Sequence, residues 1–379
     1  MSSADSPLLG LDVEPLRVSS SGQERASARA RLKTEAPEFV PPWPFRSTVV
    51  ILLVGVGAPV YGMLTRTGTA ELVPGVPLQT LGFLVGGVVL GGGALWLVVS
   101  RRVAWSRRLR LAVFAERNGF VFRPVDDSVY PGTLFQQGGA RRLENMLRRQ
   151  HDRVFEAGEF VFETGSEKNR RQHRRGYLML QLDRRLPHIL LDARSNNGLF
   201  GSNLSHGFDR SQILGLEGDF DRYFTLYCPR GYERDALYVF TPDVMAAFID
   251  GAADVDVEIV DDLLFVYLGD GLRLDDPTEW GRIERIVSAL WPKTAKQTSA
   301  YSDDRAMRRS SDGGYPTTTG ASATEATTAS AAGLLFPPSV TEVAEAGRRL
   351  RGRIPVVTTV ASVVLTLVAV GFWIFRLAA

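Results

Sequence analysis

Three long apolar runs divide the chain into membrane-type and polar regions. They cover 47–64, 78–99 and 354–375, and none contains an acidic, basic or histidine side chain. A helix of about 20 apolar residues crosses the roughly 30 Å hydrocarbon core of a bilayer. The pattern therefore predicts a transmembrane hairpin over 47–99 and a single transmembrane helix over 354–375. Spans without intramembrane charge argue against an ion or proton transporter.

The polar region 100–292 alternates between strand and helix patterns. Residues 222–228 alternate apolar and polar side chains, which is typical of a half-buried strand. Thr241 and Pro242 form a helix start, and an apolar stripe that includes Phe248 and Ile249 follows it. Strands in local hairpins with a few helices among them predict an α+β cytoplasmic domain with an antiparallel sheet.

The same patterns place the other elements of this domain. Helices are predicted over 101–118, ended by Gly119, over the basic stretch 140–150, and from Asp276-Pro277 to Trp291-Pro292. Strands are predicted at 120–122, 159–163, 177–182 and 188–191, with a DRRLP turn between the last two, and as a hairpin of 255–259 with 263–268. We expect the alternating acids Asp254, Asp256 and Glu258 to face water.

Two regions lack the apolar content that a core needs. The N-terminal segment 1–46 is rich in Ser, Ala, Pro and mixed charge, so we expect it to be disordered. The region 293–353 is mostly Ser, Thr, Ala and Gly, which predicts a flexible linker between the domain and the last apolar run.

Arginines flank the apolar runs unequally and predict the orientation. Five follow the second run closely (Arg101, Arg102, Arg107, Arg108 and Arg110), and four precede the third (Arg348, Arg349, Arg351 and Arg353). The opposite sides carry only Arg66 and Arg376. Because basic residues stay on the cytoplasmic side, the polar domain is predicted to be cytoplasmic. Only four of the 44 Lys+Arg are lysines, a bias typical of high-GC bacteria. The predicted location is the bacterial inner (plasma) membrane, with several spans.

A group of motif residues lies in 216–250. They are Leu216, Glu217, Asp219, Phe220, Arg222, Phe224, Ala236, Thr241, Pro242 and Met245. With these residues the stretch resembles an uncharacterised bacterial membrane-protein family, domain of unknown function 3137. The resemblance covers 216–268 well and 101–290 loosely, and it does not extend to the third run and its linker. It implies a membrane location and a fold, and it transfers no catalytic residue.

The strongest local charge lies in the sequence KNRRQHRR at 168–175. Its basic residues are Lys168, Arg170, Arg171, Arg174 and Arg175. Each basic residue beside an anionic leaflet contributes about 1 kcal/mol. One hypothesis is therefore a site for anionic lipid headgroups or another membrane protein, and the alternative is a solvated hairpin loop. The run has no aromatic side chain to stack on bases, so we expect no nucleic acid partner.

The second apolar run carries closely spaced glycines. Gly82 with Gly86, and Gly87 with Gly91, are small-xxx-small pairs that let helix backbones approach closely. One hypothesis is a homo-oligomer through this face, and the alternative is packing within the predicted hairpin or against the third span.

No motif assigns a catalytic residue, a metal site or a cofactor. The four histidines lack zinc-ligand spacing, and Cys228 is expected to be a small buried hydrophobe. The sequence favours a membrane-anchored domain that binds or scaffolds a ligand it does not identify. The alternative is a membrane-tethered hydrolase with a loop-built site that includes Asp192, Asn196, Asn197 and His206.

Overall fold

The computed structural model describes a domain with an antiparallel sheet and helices, and this confirms the predicted α+β class. The described residues are 8, 10–17, 21–37, 71–73, 76–150, 153–167, 169–197, 208–216, 218–269, 271–303 and 343–351. The predicted spans 47–64 and 354–375 lie outside these residues. The predicted span 78–99 coincides with the N-terminal part of a helix.

The elements follow one another in this order. The helices are α1 Glu14–Arg17, α2 Gly22–Glu35, α3 Leu78–Arg117, α4 Phe220–Tyr223, α5 Glu233–Val239, α6 Pro242–Ala252 and α7 Pro277–Ser299. The strands are β1 Glu71–Val73, β2 Val76–Pro77, β3 Val121–Asp126, β4 Gly139–Gln150, β5 Val154–Thr164, β6 Arg171–Ala193, β7 Ile213–Leu214, β8 Phe224–Tyr227 and β9 Asp256–Leu268. Strands β1 and β2 form a small pair, and the other seven form one antiparallel sheet.

The long strand β6 is the centre of the sheet and pairs with β5, β8 and the long strand β9, which differs from the prediction of shorter strands. The expected DRRLP turn at 183–187 does not end β6, and the expected hairpin at Asp261 is a continuous β9. The register shifts where Leu186 faces Asp261, and Asp261 has a φ of 56°. A β-bulge lets paired strands bend without parting. Polar residues that signal a turn thus produce a shared bend instead.

Strand β4 replaces the helix predicted over 140–150. Its neighbours β3 and β5 supply backbone partners on both sides, and this pairing overrides the helical propensity of its Arg, Leu and Met residues. Asn145 has a φ of 52°, and the register shifts between Glu144 and Leu147. The bulge explains why Leu143 and Met146, three residues apart, both reach the same buried cluster.

Helix α3 links the second apolar run to the core of the domain. It is 40 residues long and ends just before Gly119, whose φ is 69°, as the sequence predicts. Its last turns are buried, and the Phe114 ring lies 4.7 Å from that of Trp280 on α7. Among the described residues, no helix combines the length and apolar character needed to cross a membrane.

The sheet is covered on both faces. On one face α3, α5, α6 and α7 bury the larger core, which includes Phe224, Phe248 and Trp280. On the other, the segment 130–135 and two single residues, Phe208 and Leu350, cover a smaller core rich in aromatic side chains. A strand covered on both faces buries its polar residues as well as its apolar ones.

The N-terminal segment is partly ordered, contrary to the expectation for 1–46. Helix α2 begins with a capping box formed by Ser21 and Glu24, and its Ala28 and Leu32 are buried. Arg117 of α3 forms ion pairs with Asp12 at 3.0 Å and with Glu24 at 2.5 Å. Helix α3 thus supplies the packing partner that the segment lacks by itself.

The region assigned to a flexible linker, 293–353, also contains ordered parts. Helix α7 continues through Pro292 to Ser299, because Thr294, Ala295 and Thr298 beyond the proline are buried. Residues 343–351, which we call the C-terminal clasp, lie against the sheet domain. The clasp contains a short 3₁₀ turn at Glu345–Gly347.

Candidate functional site

The basic residues of the run 168–175 do not all lie in one loop, because part of the run belongs to β6. Lys168 lies outside the described residues, and β6 already begins at Arg171. Arg174 forms ion pairs with Glu144 at 2.8 Å and with Glu159 at 3.5 Å. Arg170 lies 3.3 Å from Glu163. Part of the positive charge is therefore balanced by carboxylates, which the sequence pattern did not reveal.

Arg174 belongs to a cleft that we call the mixed-charge cleft. This cleft of about 550 Å³ is lined by three parts of the chain: α3 around Arg107 and Arg108, the sheet at Glu144, Asn145, Glu159 and Arg174, and the segment from Gly271 to Asp275. It therefore lies beside the part of α3 that directly follows the second apolar run.

The carboxylate of Asp275 in this cleft accepts three hydrogen bonds from two arginines. Arg107 donates to both of its oxygens, at 2.9 and 2.8 Å, and Arg110 donates at 2.9 Å. Burial acts to raise the pKa of Asp275, but hydrogen bonds and charge from the two arginines outweigh it and leave the pKa below the ordinary value. These contacts join α3 to the segment before α7.

Glu159 on the opposite wall behaves differently. Burial raises its pKa, and hydrogen bonding by Asn145 and the charge of Arg174 only partly oppose this effect. Asn145 donates to Glu159 at 2.7 Å from the β4 bulge. The cleft thus presents arginines and carboxylates together, an arrangement suited to a ligand or partner with both donors and acceptors.

Glu258 is fully buried, so the expectation that it faces water is wrong. Thr133 donates to it through its backbone N–H at 2.8 Å and its hydroxyl at 2.5 Å, and the Tyr267 hydroxyl also donates to it. Nε2 of His188 lies 2.5 Å from Glu258 Oε1. Burial acts to raise the pKa of Glu258, but His188 and the hydroxyl donors lower it below the ordinary value.

His188 connects this buried carboxylate to the C-terminal clasp. Its Nδ1 accepts a hydrogen bond from the backbone N–H of Leu350 at 2.9 Å, so the ring proton lies on Nε2, toward Glu258. The Gln212 side chain accepts from Arg351 N at 2.9 Å and donates to Arg351 O at 2.8 Å. The side chains of His188 and Gln212 therefore bind the backbone of the clasp at Leu350 and Arg351.

A second buried carboxylate, Glu156, lies on the same side of the sheet. Tyr130 and Tyr177 donate to it at 2.9 and 2.5 Å, and Arg148 donates at 2.6 Å. Burial raises the pKa of Glu156 despite these donors. No sequence motif pointed to this cluster, because its four residues come from distant positions in the chain and Glu156 has the apolar neighbours Phe155 and Ala157.

The residues of the hydrolase alternative are brought together in part. Asn196 donates to Asp256 at 3.1 Å, and the backbone N–H of Ala193 donates to it at 2.8 Å. Burial first, and then the charge of the nearby Asp192, raise the pKa of Asp256 to about 6. His206 lies outside the described residues. Among the described residues, no group of three His, Cys, Asp or Glu side chains is arranged to hold a metal ion.

Comparisons with known proteins add little to this geometry. No protein-family model matches the chain, and a search of curated proteins gave no match. A solved structure, that of the mycobacterial trehalose monomycolate transport factor A, TtfA, is 13% identical over 48% of this chain and 90% of that chain, with a TM-score of 0.32. The function must therefore be argued from the residues of this chain.

Proposed function

We propose that this chain is a membrane-anchored binding or scaffolding protein of the bacterial inner membrane. In this proposal the apolar runs 47–64, 78–99 and 354–375 are the anchors, and the sheet domain lies at the cytoplasmic surface. The unbroken course of α3 supports the proposal. A helix that leaves the bilayer and continues into a packed core holds the domain in a fixed position relative to the membrane.

The mixed-charge cleft is the observation that carries the binding role. The first turns of α3 beyond the second apolar run line the cleft. An anchored domain would therefore hold the cleft close to the lipid headgroups. Arginine guanidinium groups bind carboxylates and phosphates with two parallel hydrogen bonds. Arg170 would extend this surface along the β5–β6 hairpin, with Lys168 in the connecting segment. Arg171 and Arg175 alternate with Arg174 along β6 and would add positive charge on the other face of the sheet.

Two further expectations from the sequence belong to this proposal. Membership of the family that 216–268 resembles would give the chain relatives with a membrane location. The glycines Gly82, Gly86, Gly87 and Gly91 of α3 would let two copies pack closely, so that paired domains form a larger platform.

Site-specific photocrosslinking in native membranes tests the binding role. A photoreactive side chain in place of Arg273, which lines the cleft and is exposed, should give an adduct with a lipid or a second membrane protein. The matched control replaces Arg234, an exposed arginine on α5 outside the cleft. Equal adducts from both positions, or none from Arg273, would remove the cleft as the binding site.

The alternative function is a membrane-tethered hydrolase. The observation that favours it is the pair of Asp192 and Asp256, with one pKa raised to about 6, beside a cavity of about 530 Å³ that Ser195 helps to line. An acid with a perturbed pKa is a common feature of catalytic sites. Both carboxylates are buried, however, and Asp256 already accepts hydrogen bonds from its own neighbours.

A further inference from the structure

A second cleft lies on the other side of α3, between this helix and the N-terminal helices. We call it the arginine groove. Its volume is about 590 Å³. Five arginines line it, namely Arg17, Arg25, Arg29, Arg102 and Arg110, together with apolar side chains that include Leu16, Val99 and Trp105. None of its lining residues in the described part of the chain is acidic, in contrast to the mixed-charge cleft.

The positive charge of the groove is only partly balanced. Arg25 and Arg29 lie one turn apart on α2, both are exposed, and neither reaches a carboxylate among the described residues. Nε of Arg110 is buried without a hydrogen-bond partner in the described structure, although its Nη2 donates to Asp275. A buried donor that lacks a partner costs free energy, so an anion that accepts from it would bind favourably.

The apolar wall of the groove continues along α3 into the second apolar run. Leu95, Trp96, Leu97 and Val99 are between 46% and 72% exposed, and they belong to the run proposed above as a membrane anchor. A helix rises about 1.5 Å per residue, so Arg102 lies about 5 Å beyond Val99 along the axis. Apolar chains lying beside 95–99 would place a polar headgroup at the arginines.

We propose that the arginine groove binds the phosphate-bearing headgroup of an anionic phospholipid. This inference rests on the membrane-anchored function proposed above and identifies one ligand of that protein. The N-terminal helices then have a role in binding, because α2 contributes Arg25 and Arg29 to the groove. The guanidinium groups of α2 and α3 would donate hydrogen bonds to the phosphate oxygens from two sides.

A lipid-binding titration of the detergent-solubilised full chain tests the proposal. The probes are fluorescent phosphatidylglycerol and, as the uncharged comparison, fluorescent phosphatidylcholine. The double variant R25Q/R29Q removes two charges and keeps long polar side chains. It should bind phosphatidylglycerol about tenfold or more weakly than the native chain. Because both positions are exposed, the thermal transition should not change.

The matched control is R234Q/R285Q, which removes the same charge at two exposed positions outside the groove. It should bind phosphatidylglycerol like the native chain. Unchanged binding by R25Q/R29Q, or an equal loss in both double variants, would overturn the groove as a headgroup site. Complete displacement of the lipid by millimolar inorganic phosphate would overturn the lipid as its ligand in favour of free phosphate.

The same preparations separate this inference from the proposed function. Every variant keeps the three apolar runs, so the fraction of chain recovered with the membrane reports anchoring alone. A membrane-bound R25Q/R29Q chain with native phosphatidylglycerol affinity would overturn only the groove. A native chain recovered in the soluble fraction would overturn the anchoring, whatever its affinity for lipid in detergent.

Discussion

At the scale of single residues, burial decides the role of the acidic side chains on β9. The alternation of Asp254, Asp256 and Glu258 with Val255 and Val257 predicted one face toward water. Because the sheet is covered on both faces, Asp256 and Glu258 are buried and Asp254 remains exposed. A periodicity of two identifies the strand but does not tell whether the polar face meets solvent or a second core. The contact between His188 and Glu258, which lie 70 residues apart in the chain, could be recognised only from the tertiary structure.

The substitution Asp256→Asn should remove the loss of stability that the native chain undergoes as the pH rises through the pKa of Asp256. The folded-state pKa of Asp256 is about 6 against an ordinary 3.8, so the folded chain keeps this proton where the unfolded chain has lost it. The free energy of unfolding therefore falls as the pH rises from about 4 to about 6. The amide that replaces the carboxyl group cannot ionise, so relative to the native chain the variant should gain about 1–3 kcal/mol over that range.

Urea denaturation of both chains at pH 4.5 and pH 7 measures this difference. The control is Asp254→Asn, two residues earlier and exposed, which should show the same difference from the native chain at both pH values. If Asp256→Asn also differs from the native chain by an equal amount at both pH values, Asp256 is not held protonated by its buried site.

At the scale of elements, the sequence predicted the helix boundaries that are marked by capping residues, prolines or glycines. Helix α3 ends before Gly119, α6 starts at Thr241-Pro242, and α7 starts at Asp276-Pro277, as expected. The strand β4 and the continuous strands β6 and β9 were missed, because pairing with distant strands determines them. The helix end expected at Pro292 was also missed, since buried residues beyond it keep α7 in place.

The apolar stripe predicted for α6 can be tested by a substitution in the core. Phe248 is fully buried, and its ring lies 5.5 Å from Phe240 and 6.3 Å from Phe224. Phe248→Ala should lower the free energy of unfolding by about 3–5 kcal/mol, because a large buried ring is replaced by a cavity. Chemical denaturation followed by near-ultraviolet circular dichroism measures the loss.

A matched substitution on the neighbouring helix controls for the loss of side-chain volume. Leu237 on α5 is 47% exposed, and Leu237→Ala should change stability by no more than about 0.5 kcal/mol. Equal effects of the two substitutions would show that the apolar stripe of α6 does not anchor the helix to the sheet.

At the scale of the whole molecule, both ends of the sheet domain are joined to segments that lead to apolar runs. Helix α3 enters the core directly from the second run, and the C-terminal clasp, which ends at Arg351, is bound by His188, Gln212 and Asp261. The apolar runs and their arginine flanks are visible in the sequence itself. It did not predict that residues beside them would fold onto the domain, because those residues are polar and low in apolar content.

Cysteine labelling in intact cells tests the anchored arrangement most directly. The native Cys228 is buried and burial raises its pKa to about 12, so it should give little background with a maleimide. Single cysteines replace Gly75 between the first two runs, Ser166 on the β5–β6 turn, and Ala379. A membrane-impermeant maleimide should label positions 75 and 379 in intact cells, and position 166 only after lysis. Labelling of position 166 in intact cells, or of none of the three before lysis, would contradict a cytoplasmic domain anchored by spanning helices.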